Sequence, residues 1–84
     1  MNEKILVVDD NDEIRDIVSL YLKNSNFEVY EAKNGKEALD FLKNNKISLM
    51  ILDIMMPEVD GIEVLKAIGN DRDFPVIFQS EKSS

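Results

Sequence analysis

The stretch Ser48–Gly61 is SLMILDIMMPEVDG, and it decides how the rest of the chain is interpreted. An apolar run ends on a single aspartate, Asp53, and the segment then breaks at Pro57 and Gly61. A short continuous apolar run bounded by turn residues is typical of a strand buried on both faces of a parallel sheet. We therefore predict a buried strand over Leu49–Asp53 that carries a charge at its carboxyl end.

Three more segments have the character of strands. Lys4–Asp9 (KILVVD) is a second continuous apolar run and predicts another strand buried on both faces. Phe27–Ala32 (FEVYEA) alternates apolar and acidic residues, which favours a more exposed strand at the edge of the sheet. Pro75–Phe78 (PVIF) predicts a fourth strand.

Helices are predicted between these strands, because apolar residues recur there at helical spacing. Either Asn11 or Asp12 is placed to cap the first helix. Asn34 begins the second, with Glu37 able to reach back as in a capping box. The third follows the Pro57 loop and ends near Gly69 or Asn70.

The order βαβαβαβ with short links predicts an α/β fold with a parallel sheet, right-handed crossovers and helices on both faces. In the flavodoxin-like arrangement, whose strand order here would be 2-1-3-4, strands one and three are neighbours. Ligands of such sheets bind beyond the carboxyl ends of the strands, at the point where the winding direction reverses. We therefore expect the functional site between the ends of strands one and three.

Composition narrows the functions that the chain could have. Its net charge of −7 repels nucleic acid, so we expect no direct DNA or RNA binding by this segment. The absence of histidine and cysteine excludes thiolate and histidine zinc sites and serine–histidine or cysteine–histidine nucleophiles. The N-terminus is not a signal peptide and no apolar run could cross a membrane, so we predict a cytoplasmic protein.

Three carboxylates should meet at the expected site. Asp9 and Asp10 follow strand one and Asp53 ends strand three. Two charges about 4 Å apart repel by roughly 4 kcal/mol at an effective dielectric near 20, so a cation should belong there. Oxygen ligands alone favour a hard cation, Mg²⁺ above all. Asp53 could serve as a ligand only or as a nucleophile toward a phosphoryl group, and its isolated position at a strand tip favours the nucleophile.

These acidic residues, followed by MMPEVDG, resemble the receiver domain of two-component response regulators, the CheY-like family, across all 84 residues. The resemblance implies a signalling module rather than an enzyme, in which Asp53 accepts a phosphoryl group from a sensor histidine kinase. It also implies that Mg²⁺ is bound by Asp10, Asp53 and the backbone carbonyl of Met55, with Asp9 acting through water. Ser80 would be the switch hydroxyl.

The chain departs from the family pattern near its C-terminus. A receiver should continue through a fourth helix, a fifth strand and a fifth helix, so residues 1–84 are expected to be an incomplete receiver domain. The family's catalytic lysine ends strand five and is therefore absent, and Lys82 is in the wrong place to replace it. Gln79 stands where an apolar residue is usual, and Glu81 where a small one is. We expect these departures to impair phosphorylation.

Other functions are left open by the sequence. Without a fifth strand, residues 75–79 would form an exposed apolar edge, through which the chain could self-associate as a two-fold or swapped dimer. The alternative function is therefore a non-phosphorylated dimerisation or docking module with the same fold. A third is a small phosphatase, because Asp10-x-Asp12 resembles the nucleophile motif of haloacid-dehalogenase-like phosphatases, although Glu13 and Ile14 stand where those need a hydroxyl.

Overall fold

The structure, a computed structural model, describes residues 3–53, 61–69 and 73–79. Strands and helices alternate strictly along these residues, which confirms the predicted order. The elements are β1 (Lys4–Val8), α1 (Asp12–Asn24), β2 (Glu28–Ala32), α2 (Gly35–Asn44), β3 (Leu49–Asp53), α3 (Gly61–Ile68) and β4 (Val76–Gln79).

The described strands form one parallel sheet in the order β2-β1-β3-β4, as the sequence predicts. The register places Val8 between Ala32 and Leu52, so β1 and β3 end side by side. At the same end of the sheet, Asp53 lies beside Gln79 of β4. The winding direction therefore reverses between β1 and β3, where the candidate site was expected.

The two faces of the sheet are covered by different helices. On one face, Leu6, Val8, Met50 and Leu52 form the main core, together with buried residues of α2 and α3. On the other face α1 packs against β1 and β2. Residues Ile5 to Val8 of β1 are almost wholly buried, which confirms a strand covered on both sides.

Four strand limits differ by one residue from the sequence-based prediction: the end of β1, the start of β2 at Glu28, and the start and end of β4. Two of them have a clear local cause. β1 ends at Val8 because the carbonyl of Asp9 accepts a hydrogen bond from the Arg15 side chain. β4 begins at Val76 because Pro75 has no amide hydrogen to donate to the sheet. Its carbonyl still accepts from the amide of Met50, at 3.1 Å.

The helix ends follow the capping residues that the sequence indicates. Asn11, rather than Asp12, caps α1, since its side chain accepts from the amide of Ile14 at 3.0 Å. Asn34 caps α2 by accepting from the amide of Glu37 at 2.8 Å. The Glu37 carboxylate reaches back to the amide before the cap, that of residue 33, at 3.0 Å, so the capping box is lengthened by one residue.

The C-terminus of α3 lies where the sequence predicts it. The helix ends at Ile68, and Gly69 follows with a φ of +74°. This left-handed backbone conformation costs a glycine little, and it is the usual way to end a helix. The amide of Gly69 donates to the carbonyl of Leu65 at 3.1 Å, which satisfies one of the last carbonyls of the helix.

Apolar side chains remain exposed in two places. On β4, which in the described part of the chain pairs with β3 alone, Ile77 exposes 52% and Phe78 exposes 45% of its surface. On α1 the exposed residues are Ile17, Leu20 and Tyr21. None of the described helices is long and apolar enough to cross a membrane.

Candidate functional site

Three carboxylates meet at the carboxyl ends of β1 and β3, and we call them the acidic triad: Asp9, Asp10 and Asp53. One oxygen from each lies within 4.8 Å of the others. Asp9 is 0% exposed and Asp53 is 1% exposed, whereas Asp10 is exposed. The sequence-based prediction that these side chains converge is therefore confirmed.

Asp9 is held by hydrogen bonds on several sides. Its backbone amide donates to the carbonyl of Ala32 at 3.1 Å, which keeps it in line with β2. One carboxylate oxygen accepts from the amide of Asn11 at 2.9 Å. The other accepts from the side-chain amide of Gln79 at 3.4 Å, which is longer than an ordinary hydrogen bond. These contacts fix the direction of the buried Asp9 side chain.

Arg15 ties the loop after β1 to its surroundings, and sequence analysis assigned it no role. Its side chain is only 13% exposed. Nη1 donates to the backbone carbonyl of Asp9 at 2.8 Å, Nε donates to Glu31 of β2 at 3.0 Å, and Nη2 donates to Asp12. Its spacing could have revealed it. Arg15 precedes Val18 by three residues and Leu22 by seven, which places it on the helix face toward the sheet.

The charge of Arg15 is permanent. Burial alone would lower the pKa of its guanidinium, but the hydrogen bonds to Asp12 and Glu31, and the charges of these carboxylates, raise the pKa above its ordinary value. Changes of pH in the physiological range therefore do not alter the contact with the Asp9 carbonyl.

The acidic triad suits a hard divalent cation. At 4.8 Å, two unit charges repel by about 3.5 kcal/mol at an effective dielectric of 20, so the cluster is electrostatically unfavourable without a cation. Mg²⁺ binds oxygens at about 2.1 Å, so oxygens on opposite sides of the ion are about 4.2 Å apart. The triad spacing therefore needs only small side-chain shifts, or one bridging water, to share an ion. Because the chain has no histidine or cysteine, the side-chain donors of this site are oxygens, and oxygen ligands are the ones that Mg²⁺ prefers.

Not every predicted site residue can be placed. Met55 and Ser80 lie outside the described residues, as do Glu81 and Lys82. Gln79 is described: it ends β4 beside Asp53, and its side chain reaches the acidic triad. The polar residue that departs from the family pattern is therefore part of the site's surroundings.

A doubly wound parallel sheet with three carboxylates at its switch point is the architecture of a receiver-type signalling domain. The profile described as the response regulator receiver domain matches residues 5–84 of this sequence. The chain is 39% identical over 82 residues to the transcriptional regulatory protein SrrA of Staphylococcus aureus, covering 98% of this chain and 34% of that protein. The chain thus spans about a third of the length of the curated relatives it matches.

Solved structures agree with this assignment. The chemotaxis response regulator CheY4 of Vibrio cholerae superposes with a TM-score of 0.91 at 31% identity, over 100% of this chain and 72% of that one. The response regulator TrrA of Thermotoga maritima, solved in complex with Mg²⁺–BeF, gives a TM-score of 0.88 at 36% identity, over 96% and 71%. The chain belongs to the response regulator receiver domain family, whose members are signalling modules of two-component systems.

Proposed function

We propose that the chain is a phosphoacceptor module, in which Asp53 accepts a phosphoryl group from a sensor histidine kinase with Mg²⁺ bound at the acidic triad. The observation that carries the proposal is the meeting of three carboxylates within 4.8 Å at the ends of two neighbouring strands. Membership of the receiver family and the likeness to TrrA, whose structure holds Mg²⁺–BeF, support the same assignment.

Within the triad we assign different roles to the three carboxylates. Asp10 and Asp53 are the proposed direct ligands, and Asp9 acts through water. Asp9 already accepts hydrogen bonds from Asn11 and Gln79, which leaves it less free to enclose an ion. The exposed Asp10 can turn toward the ion at little cost. The backbone carbonyl of Met55 as third protein ligand, and Ser80 as switch hydroxyl, follow from the family resemblance.

Asp53 is the proposed nucleophile because it stands at the end of β3, which is held between β1 and β4. One of its carboxylate oxygens forms a bond to the phosphorus atom while the bond from phosphorus to the donor histidine nitrogen breaks. The electron pair of that bond returns to the imidazole, which then takes up a proton, and the product is an acyl phosphate on Asp53. Bound Mg²⁺ supplies shielding of the phosphoryl charge.

Incubation with Mg²⁺ and acetyl phosphate, read by intact mass, tests this proposal. We expect a labile increment of one phosphoryl group in the wild type and none in Asp53→Asn, which removes the nucleophile but keeps the side-chain shape. Asp40→Asn is the matched control, because Asp40 is exposed, pairs with Lys43 on α2 and is not part of the triad. An adduct that persists in Asp53→Asn would refute the assignment.

A second function is favoured by one specific observation, the exposed apolar side chains of β4. Ile77 and Phe78 lie on the strand that pairs with β3 alone in the described part of the chain. Such an edge can pair with a second copy, which makes the segment 75–79 the proposed self-association surface of a dimerisation or docking module.

Sedimentation velocity over a concentration series tests this second function. We expect the 84-residue chain to associate and Ile77→Lys to shift it toward monomer. Ile17→Lys, which places the same charge on the exposed apolar face of α1, should leave association unchanged. A wild type that stays monomeric at high micromolar concentration would remove the idea. Association without any phosphoryl adduct would favour the docking module over the phosphoacceptor.

A further inference from the structure

Arg15 joins three separate parts of the structure beside the acidic triad. It contacts the loop after β1 through the Asp9 carbonyl, the first turn of α1 through Asp12, and the edge strand β2 through Glu31. The planar guanidinium holds its donors in a fixed fork, so bonds to Asp12 and Glu31 also fix the direction of the nitrogen that faces Asp9. The contacts with Asp12 and Glu31 therefore hold in place the nitrogen that donates to the Asp9 carbonyl.

The position of this carbonyl matters because it belongs to the peptide that links Asp9 to Asp10. A peptide group is planar, so fixing its oxygen also fixes the direction in which the chain enters Asp10. The amide of Asp9 still donates to β2, but its carbonyl bonds to Nη1 of Arg15 at 2.8 Å. The orientation of the Asp10 side chain toward Asp53 thus depends on a contact made by Arg15.

We propose that Arg15 is a positioning residue for the Mg²⁺ site, which holds the loop after β1 so that the Asp9 and Asp10 carboxylates face Asp53. This inference rests on the proposed function, since it assumes that the acidic triad binds Mg²⁺. Residues that orient metal ligands without touching the ion commonly change metal affinity by about 10- to 100-fold when they are replaced.

The charge of Arg15 and its contact with the Asp9 carbonyl predict opposite effects on Mg²⁺ affinity when Arg15 is replaced, which makes the inference testable. Arg15 is a cation near the triad, so removing its charge alone should strengthen Mg²⁺ binding. Removing its hold on the Asp9 carbonyl should weaken Mg²⁺ binding, because the loop must then be ordered when the ion binds. Arg15→Lys keeps the charge but has one ammonium in place of the fork, whereas Arg15→Gln loses both.

Isothermal titration of the 84-residue chain with Mg²⁺ measures these variants, at a temperature where circular dichroism shows each to be folded. We expect both Arg15→Lys and Arg15→Gln to raise the dissociation constant by about tenfold or more. Glu31→Gln is the matched control, because it removes the charge from the link to β2 but leaves the contact with the Asp9 carbonyl. It should weaken binding less than Arg15→Lys, even where the two variants lose equal thermal stability.

A measurement on the wild type covers the case in which the Arg15 variants do not fold. If Arg15 and Mg²⁺ favour the same loop conformation, saturating Mg²⁺ must in turn stabilise the Arg15 contact. We expect Mg²⁺ to slow hydrogen exchange of the Arg15 Nη1 hydrogens, one of which donates to the Asp9 carbonyl, in NMR spectra, with Arg72, the second arginine, as internal reference.

Each outcome decides between the two claims. Unchanged affinity in Arg15→Lys with tighter binding in Arg15→Gln would show that only charge acts, and would overturn the positioning role. Weakening that tracks thermal stability equally in Arg15→Lys and Glu31→Gln would overturn it as well, and so would Arg15 exchange that Mg²⁺ leaves unchanged. A wild type that binds no Mg²⁺ at millimolar concentration would instead refute the proposed function, and this inference with it.

Discussion

Neutralising Asp10 should stabilise the fold when Mg²⁺ is absent. Asp10 is exposed, and its carboxylate lies within 4.8 Å of those of Asp9 and Asp53. At that distance each pair of charges repels by about 0.9 kcal/mol in a water-like dielectric, the appropriate limit for an exposed group. Asp10→Asn removes both repulsions and no packing, so we expect the free energy of unfolding to rise by roughly 1–2 kcal/mol.

Thermal unfolding followed by circular dichroism can measure this effect. In a domain of this size each kcal/mol raises the melting temperature by about 4–8 °C. The experiment belongs at low ionic strength with a chelator, because salt screens exposed charges. Saturating Mg²⁺ should cancel the advantage of Asp10→Asn, since an ion bound to the native state at about 100 times its dissociation constant stabilises the wild type by about 2.7 kcal/mol.

The control is Asp40→Asn, which removes another exposed carboxylate that has a favourable partner, Lys43, at 3.5 Å. Such surface pairs contribute at most about 1 kcal/mol, so this variant should be neutral or slightly less stable than the wild type. The reasoning fails if Asp10→Asn is no more stable than the wild type in chelator. It also fails if the gain is the same with and without Mg²⁺.

Three further predictions concern the fold. Tyr30 donates a hydrogen bond to the Glu28 carboxylate, which raises the pKa of its phenol above the ordinary 10.0. Tyr21→Phe leaves Tyr30 as the remaining tyrosine, so absorbance titration of this variant should give a midpoint above 10.0. Adding Glu28→Gln should lower that midpoint. Because the folded pKa is raised, this contact stabilises the protein fully below the unfolded pKa, and the contribution is lost as pH rises through the folded pKa. A titration midpoint that Glu28→Gln leaves unchanged would contradict this. Asn34→Ala should lower the free energy of unfolding by about 1 kcal/mol in urea denaturation, through loss of the α2 cap, and no change would refute that capping role. Leu52→Ala should cost about 2–5 kcal/mol in the same assay, because it opens a cavity between β3 and the helices that cover it, and a cost below that of Asn34→Ala would contradict the packing described.

The convergence of the acidic triad could be predicted from sequence because it follows from topology. Once Lys4–Asp9 and Leu49–Asp53 are recognised as buried parallel strands, the switch-point rule places their carboxyl ends together. The geometry needs no knowledge of individual side-chain contacts. It therefore survives errors of one residue in the strand limits, such as the end of β1 at Val8.

The role of Arg15 could not be predicted in the same way. An arginine among acidic residues on a helix is usually exposed, and only the structure shows this one to be 13% exposed and bonded to Asp9. Glu37 is a similar case, because its reach to the amide of residue 33 depends on the path of the chain before α2. Both contacts join residues through local backbone geometry, which the pattern of apolar residues does not specify.

The acidic triad and Arg15 act in opposition, and this gives the site its dependence on a cation. Repulsion among the three carboxylates would move the exposed Asp10 away from Asp53, since that motion needs no change in the core. Arg15 resists the motion by holding the Asp9 carbonyl, so the repulsion is retained in the fold rather than relieved by a shift of the loop. Binding of a divalent ion is then strengthened both by the negative potential of the triad and by a loop that is already ordered. If Arg15 is replaced, the loop can relax, and the same three carboxylates should form a weaker ion site.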